Sequence, residues 1–324
     1  NFNFLGARKV SFMVVGVFVA VVVISLFVRG LNQGIDFSGG RNYVVKFEKP
    51  VETGHLQQVL TPMFNQNGEV ASVSVITIEN SNQVRVSTNY KIKSTEDASA
   101  IEGEITNLLY ETFKAEGLLP DGMTLEEFST TDETQGILSS QTVGPTVAND
   151  MRNKAYIAVI LSLIAMFLYI LLRFRNVAFS LGALAAVAFT AFTIIGFYSL
   201  FWGILPFAME IDQTFIAAIL TIIGYQINDT VVVFDRVREN VGLYPKQDFF
   251  TTVNKSLNST LTRTIMTSAS TLLVLLCIFI LGGDSIRSFI FAMLFGVITG
   301  TLSTLFIASP VAYLTNKRKV AAAK

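Results

Sequence analysis

Within the apolar run Phe215 to Phe234, the heptapeptide Gly224-Tyr-Gln-Ile-Asn-Asp-Thr230 sets an acid, two amides, a phenol and a hydroxyl side by side. Asp229 lies seven residues before Arg236, about 10 Å along a helix axis. If the run spans a membrane, this carboxyl is inside the hydrocarbon. A carboxylate near mid-helix costs about 2.5 to 3.5 kcal/mol on insertion scales, so it requires burial among neighbouring helices, a charged partner or water. The chemistry it offers is capture and release of a proton, which a device driven by a proton gradient requires. The alternative is a structural carboxyl held permanently by one neighbour. Gln226 and Asn228 carry amides of the kind that join membrane helices, or else support the same relay with Thr230.

Arg263 is the natural cation. It opens the next apolar run after the polar stretch Asn254 to Thr262, and antiparallel spans bring it to the same membrane face as Asp229. An arginine at that depth also suits anchoring to lipid phosphate. From Arg263, the hydroxyls Thr267, Ser270 and Thr271 recur at three- and four-residue spacing and form one polar stripe. Such a stripe lines a wet path or permits close packing. Gly296-x-x-x-Gly300, with Thr299, Ser303 and Thr304, reads as a packing face. Asp235, Arg236, Arg238 and Glu239 read as a charged cuff ending a helix.

Other chemistries find no support. His55 reads as a solvated surface residue, and nothing assembles a nucleophile, a base and an oxyanion site. Cys277, the single cysteine, lies in an apolar run, so no disulfide framework or cysteine metal site forms within the chain. No GxxxxGK[ST] motif occurs, so energy input is ionic or supplied by a partner. The chain is expected to be no enzyme and to hold no metal or cofactor.

The elements that position these residues follow from composition. Of 324 residues 51% are hydrophobic and 15% charged, too apolar for a soluble domain of this length. A span needs about 20 apolar residues, and the runs 10–28, 155–172, 177–201, 215–234, 265–281 and 289–314 qualify. The run 10–28 lacks a small-x-small cleavage pattern and reads as a retained anchor rather than a signal peptide. Arg8, Lys9, Arg173, Arg175, Arg236, Arg238, Lys246, Lys255, Lys317, Arg318 and Lys319 fall on one side of a six-span arrangement. By the positive-inside rule that side is the cytoplasm. The opposite short loops carry Glu210, Asp212 and Asp284 with Arg287. Both termini are then cytoplasmic and the large loop external. Lys and Arg balance Asp and Glu at 24 each, so no global charge points to nucleic acid.

Four regions follow: 1–29, the first span and its lead; 30–150, an external domain; 151–316, the remaining five spans; and 317–324, a basic tail. In the external region, strand patterns at 42–47, 70–79 and 83–89 and helical patterns at 54–64 and 95–114 precede a short strand at 140–143. Ser94 or Thr95 is expected to cap the second helix. The order βαββαβ is that of a ferredoxin-like split unit, with 120–135 as an exposed insertion.

The stretches Gly30-Leu-Asn-Gln-Gly-Ile-Asp-Phe-Ser-Gly-Gly40, Val143-Gly-Pro145, 224–240 (GYQINDTVVVFDRVREN) and 256–268 (SLNSTLTRTIMTS) resemble the SecF export membrane protein family, across essentially the whole chain. That family works with SecD beside the Sec translocon and resembles resistance-nodulation-division transporters in its six-span repeats. The resemblance implies use of the proton motive force to move unfolded preprotein across the bacterial inner membrane. It implies as partners SecD, the SecYEG pore, YidC and preprotein, with protons as the coupling ion. It implies that Asp229 and Arg263 take part in proton flow, supported by Asn228, Gln226, Thr230 and Thr267. Asp36, Gly39 and Gly40 match the junction leading into the external domain. Many family members carry a His-Asp pair on the third span where this chain has Phe189 and Thr190, neither titratable. The Asn1 start fits both the later half of a fused SecD and SecF polypeptide and a trimmed separate subunit. A small-molecule or lipid exporter and a non-transporting scaffold are the rival readings.

Overall fold

A computed structural model describes residues 2–65, 71–78, 80–94, 96–130, 135–205, 207 and 209–322. The first helix, α1 (Arg8–Val28), leads through a single turn, α2 (Ile35–Ser38), into a small sheet domain. That domain runs β1 (Gly40–Lys46), α3 (Thr53–Phe64), β2 (Val73–Ile78), β3 (Asn80–Thr88), α4 (Ala98–Ala115), α5 (Leu125–Ser129) and β4 (Gly136–Val143). The chain returns through α6 (Pro145–Phe174), α7 (Val177–Phe201), α8 (Gln213–Leu243) and α9 (Phe249–Leu281). It ends on α10 (Asp284–Ser303), a π-helical turn at Thr304–Ala308, and α11 (Ser309–Ala322). Among the described residues six helices are long and apolar enough to cross a membrane, α10 and α11 together counting as the last.

Local chemistry sets the boundaries. Pro145 occupies the first turn of α6, where a missing N–H does no harm. Arg175 adopts the left-handed conformation that ends that helix. Asn176 then caps α7 by accepting from the Ala178 N–H at 2.9 Å, and Asp212 caps α8 by accepting from the Phe215 N–H at 2.8 Å. The helices α6 and α9 extend well beyond the apolar runs 155–172 and 265–281, because their polar ends continue as helix past the hydrocarbon.

Helix α7 is the hub of the bundle, packed against α1, α6, α8, α10 and α11. Its small residues permit this. Gly182 lies against Ala308 and Ala312, and Gly196 takes the Val22 side chain of α1 where a methyl group has no room. By contrast α1 and α6 bury little of their surface, exposing Val14, Val17, Ile157, Ile160 and Leu161 to what surrounds the bundle. Such an apolar shell suits lipid rather than water.

The sheet order is β2-β3-β1-β4 and all pairs are antiparallel, the arrangement of a ferredoxin-like unit. Tyr43, Val45, Val84 and Val86 point to one face and pack with Leu60, Phe64, Ile105 and Phe113 of α3 and α4. Each such side chain contributes about 1.5–3 kcal/mol through burial. The other face, carrying Asn42, Val44, Arg85 and Ser74, is half-exposed.

Three local expectations change. Helix α4 starts at Ala98 after Asp97, whereas the Ser94 hydroxyl accepts from the Glu96 N–H in the preceding turn; Thr95 lies outside the described residues. The last strand begins at Gly136, because pairing with β1 runs from Lys46↔Gly136 to Gly40↔Val143, although its exposed Ser139 to Thr142 carry no apolar alternation. The insertion 120–135 contains α5, held by a reciprocal capping box between Thr124 and Glu127; residues 131–134 lie outside the described residues, as do Val70 and Glu79. His55, exposed as expected, meets Glu116 at 2.8 Å.

Candidate functional site

Helix α8 presents polar side chains on two faces. Because one residue advances a helix by about 100°, Tyr225 and Asp229 share a face while Gln226 and Thr230 share the next. The first face meets α9. Asp229 is buried, with 7% of its surface exposed, and its Oδ1 accepts from the Thr267 hydroxyl at 3.5 Å, the outer limit of a hydrogen bond. That hydroxyl also reaches the carbonyls of Arg263 at 3.1 Å and Thr264 at 3.0 Å. Its one proton therefore has three acceptors, and Asp229 is held loosely. Tyr225 closes the same face: its OH donates to the Thr267 carbonyl at 3.1 Å and lies 3.1 Å from the Thr271 hydroxyl.

Arg263, one turn from Thr267, is exposed. The ion pairs described in the bundle are Asp150–Lys154, Asp235–Arg173 and Glu239–Arg236; none joins Arg263 to Asp229. Thr267 and Ser270 are exposed as well. The acid therefore sits at the back of a polar seam between α8 and α9 that opens on the flank of the bundle.

The second face turns inward. The Gln226 amide nitrogen donates to Ser303 Oγ at 2.7 Å, and Ser303 lies 2.8 Å from the Thr190 hydroxyl of α7. Thr230 and Thr304 pair at 3.1 Å. All five side chains are at most 2% exposed, so this is a dry junction in which α8 is joined to α10 and the π-helical turn, and α10 through Ser303 to α7. Gln226 thus takes the helix-joining role and points away from Asp229, as does Thr230. Asn228 is exposed on the remaining side of α8. Of the residues expected to support Asp229, Thr267 is brought to it. Thr190, at a position expected to titrate in relatives, serves here as a neutral partner of Ser303. The spacing of 226 and 230 hints at an inward polar face, but which helix supplies the partners is not readable from one segment.

The glycine stretch and the Val143-Gly-Pro145 stretch meet at the root of the domain. Gly39 has φ +73°, and an added Cβ would stand 3.4 Å from both Pro145 Cα and the Val143 carbonyl. At Gly40 a Cβ would press on the Thr88 carbonyl and Ile35 at 2.7 Å. Gly39 is therefore favoured by its positive φ, and Gly40 by close approach of the Thr88 main chain. Asp36 accepts from the Gln213 N–H at 3.2 Å, at the start of α8. The loop before α8 is stitched to the exit of α1: the Ile211 N–H donates to Asn32 at 2.8 Å and the Gly34 N–H to Ile211 at 3.1 Å. Beside this stitch, burial pushes the Glu210 carboxyl above the usual carboxylate range, helped by Asp212 and Asp36 and opposed by its hydrogen bond to Ser74 and by Arg85. Among the described residues no group of three or more His, Cys, Asp or Glu side chains is assembled that could hold a metal ion.

Six spanning helices, a ferredoxin-like domain inserted after the first, and an acid within the fourth define a multi-pass membrane protein whose distinctive chemistry lies inside the bundle. The chain belongs to the SecD/SecF family of protein export membrane proteins. The family profile "Protein export membrane protein SecD/SecF, C-terminal" matches residues 124–318, and the profile "SecD/SecF GG Motif" matches residues 24–51, which contain Gly39 and Gly40. Protein translocase subunit SecF of Rhodothermus marinus is 36% identical over 312 residues, 96% of this chain and 92% of that one. Protein translocase subunit SecDF of Thermus thermophilus is 32% identical over 98% of this chain but 39% of its own length. The crystal structure of the Thermus SecDF, described as a translocon-associated membrane protein, superposes with a TM-score of 0.76 at 30% identity. This chain covers 98% of itself and 39% of that structure, so it spans about two fifths of the fused protein. Its role is that of an accessory subunit in Sec protein translocation.

Proposed function

We propose that the chain, paired with a SecD-type repeat, couples the proton motive force to movement of unfolded preprotein through the SecYEG translocon of the bacterial inner membrane, in contact with YidC. Residues 1–29 and 151–316 form its membrane unit, 30–150 its periplasmic domain and 317–324 its cytoplasmic tail. Both termini lie in the cytoplasm. The observation that carries this reading is the seam of Tyr225, Asp229, Arg263 and Thr267: a loosely held, buried acid at the back of a polar seam that opens on the flank of the bundle. An acid left in lipid would be costly, and the fused relative contains a further three fifths of chain to cover this flank. Protonation of Asp229 then shifts the packing of α8 against α9, to the extent that the two packings differ in proton affinity.

The test is export into vesicles carrying the reconstituted complex, with and without an imposed proton gradient. Asp229→Asn is expected to assemble and to retain gradient-independent export while losing the stimulation. Wild-type stimulation in that variant would refute the assignment. Arg263→Gln is expected to change the pH at which stimulation is half-maximal.

A further inference from the structure

A cleft of about 750 Å³ lies outside the bundle, between the domain and the α7–α8 loop. Strand β2 runs along one side, α3 with Gln57 and Thr61 forms another, and Trp202, Leu205 and Phe207 of the loop supply apolar surface. The strand is the last in the sheet, hydrogen-bonded only to β3. Its outward groups can be identified. The Val73 carbonyl accepts from Gln57 Nε2 at 3.0 Å, so it points away from β3. In an antiparallel pair, alternate residues direct both main-chain groups to the same side. Val75 and Thr77 therefore face outward too. Among the described residues, no main-chain partner meets the Val75 N–H and carbonyl or the Thr77 N–H. Helix α10 also packs against β2, but among the described residues no main-chain hydrogen bond joins them; the strand's edge lies in a recess between α3 and an apolar wall, the geometry in which proteins take up an extended peptide as an added strand.

We propose that this cleft binds an extended, basic segment of the translocated polypeptide, which adds to the free edge of β2 through main-chain hydrogen bonds. This rests on the preprotein reading above and names a contact surface for it. Three observations select the occupant. Free N–H and carbonyl groups at strand spacing match main chain, the one feature that unfolded polypeptides of every sequence share. The cleft is lined by the exposed Glu52, by Glu210, whose carboxyl also feels Arg85 beside it, and by no described Lys or Arg, a lining that complements basic side chains once Glu210 is ionised. The wall of Trp202, Leu205 and Phe207 offers apolar contact to alternate residues of an added strand.

The experiment measures fluorescence anisotropy of a fluorescein-labelled decapeptide of alternating Lys and Val, titrated with the purified chain in complex with its SecD-type partner. A second decapeptide of the same sequence carries N-methyl groups at alternate residues, which remove the donors a new strand needs. The plain peptide is expected to bind and the N-methylated one not to. Thr77→Pro deletes one outward donor at an edge position that tolerates proline, and should raise Kd about 3- to 10-fold, the equivalent of one hydrogen bond. Thr77→Val keeps the donor and should bind within about 2-fold of wild type by the same measure. Peptide binding is read with no proton gradient imposed, so a failed proton relay leaves this result untouched. Equal binding of both peptides, binding to neither, or release of the partner by Thr77→Pro would overturn the proposal, the last by showing that the partner occupies the edge.

Discussion

Two glycines one turn apart on α10 give a quantitative test of how the inner junction is packed. A Cβ on Gly296 would stand 2.7 Å and 3.0 Å from the Ile222 side chain and 3.1 Å from Ile194. On Gly300 it would stand 3.5 Å from the nearest atoms of Gln226, ordinary contact. Ala is favoured over Gly in a helix by about 0.8–1 kcal/mol, a gain open to both sites. At Gly296 it is opposed by overpacking of about 1–3 kcal/mol, since Ile222 and Ile194 are both buried with nowhere to move. Gly300→Ala should therefore be neutral or stabilising by up to about 1 kcal/mol, and Gly296→Ala should fall about 1–3 kcal/mol below it. Trp202, the chain's one tryptophan, ends α7 and reports unfolding by its fluorescence as sodium dodecyl sulfate is titrated into detergent-solubilised protein. Equal shifts of the midpoint for the two variants, or a larger loss at Gly300, would show that the α8–α10 contact is not as described.

Three further outcomes are expected. Protonation of Glu210 favours its half-buried place beside Ser74, so docking of β2 on the loop is firmest below the ordinary carboxylate range and weakens as pH rises through the raised value; hydrogen exchange of β2 should follow that course, and Glu210→Gln should abolish it. Thr190→Val removes the bond to Ser303 and should cost about 1 kcal/mol, whereas combined with Ser303→Ala the loss should be less than the sum of the two singles; equal additivity would separate these residues. Gly39→Ala forces a side chain into a left-handed backbone and should cost about 1–2 kcal/mol in thermal unfolding, while Gly144→Ala, with nothing within 4 Å, should cost less.

The spans and the chain order of strands and helices were readable because their periods, 3.6 and 2, are written into the apolar residues themselves. Strand β4 was truncated in that reading, since Ser139 to Thr142 are exposed and are held as strand by pairing with β1 rather than by burial. The importance of Asp229 was legible from its type and depth alone. The division of its neighbours was not: residues 225 to 230 are contiguous in sequence, yet α9 receives Tyr225 and Asp229 while α10 and the π-helical turn after it receive Gln226 and Thr230. Helix rotation fixes that division, and it depends on partners 38 to 77 residues away. The edge of β2 was likewise invisible, because a free main chain leaves no mark on side-chain pattern.

The stitch between Asn32, Gly34 and Ile211 has a mechanical corollary. It fastens the neck of the domain to the head of α8, and Asp36 clamps the first N–H of that helix. From Gln213 to Asp229 the helix is unbroken, a rod of about 24 Å at 1.5 Å per residue. A rod held rigid by its own backbone bonds does not absorb a slide or a twist along its length. Any axial stroke or turn begun where the carboxyl sits is delivered undiminished to the collar at the far end, and the sheet above it must ride along.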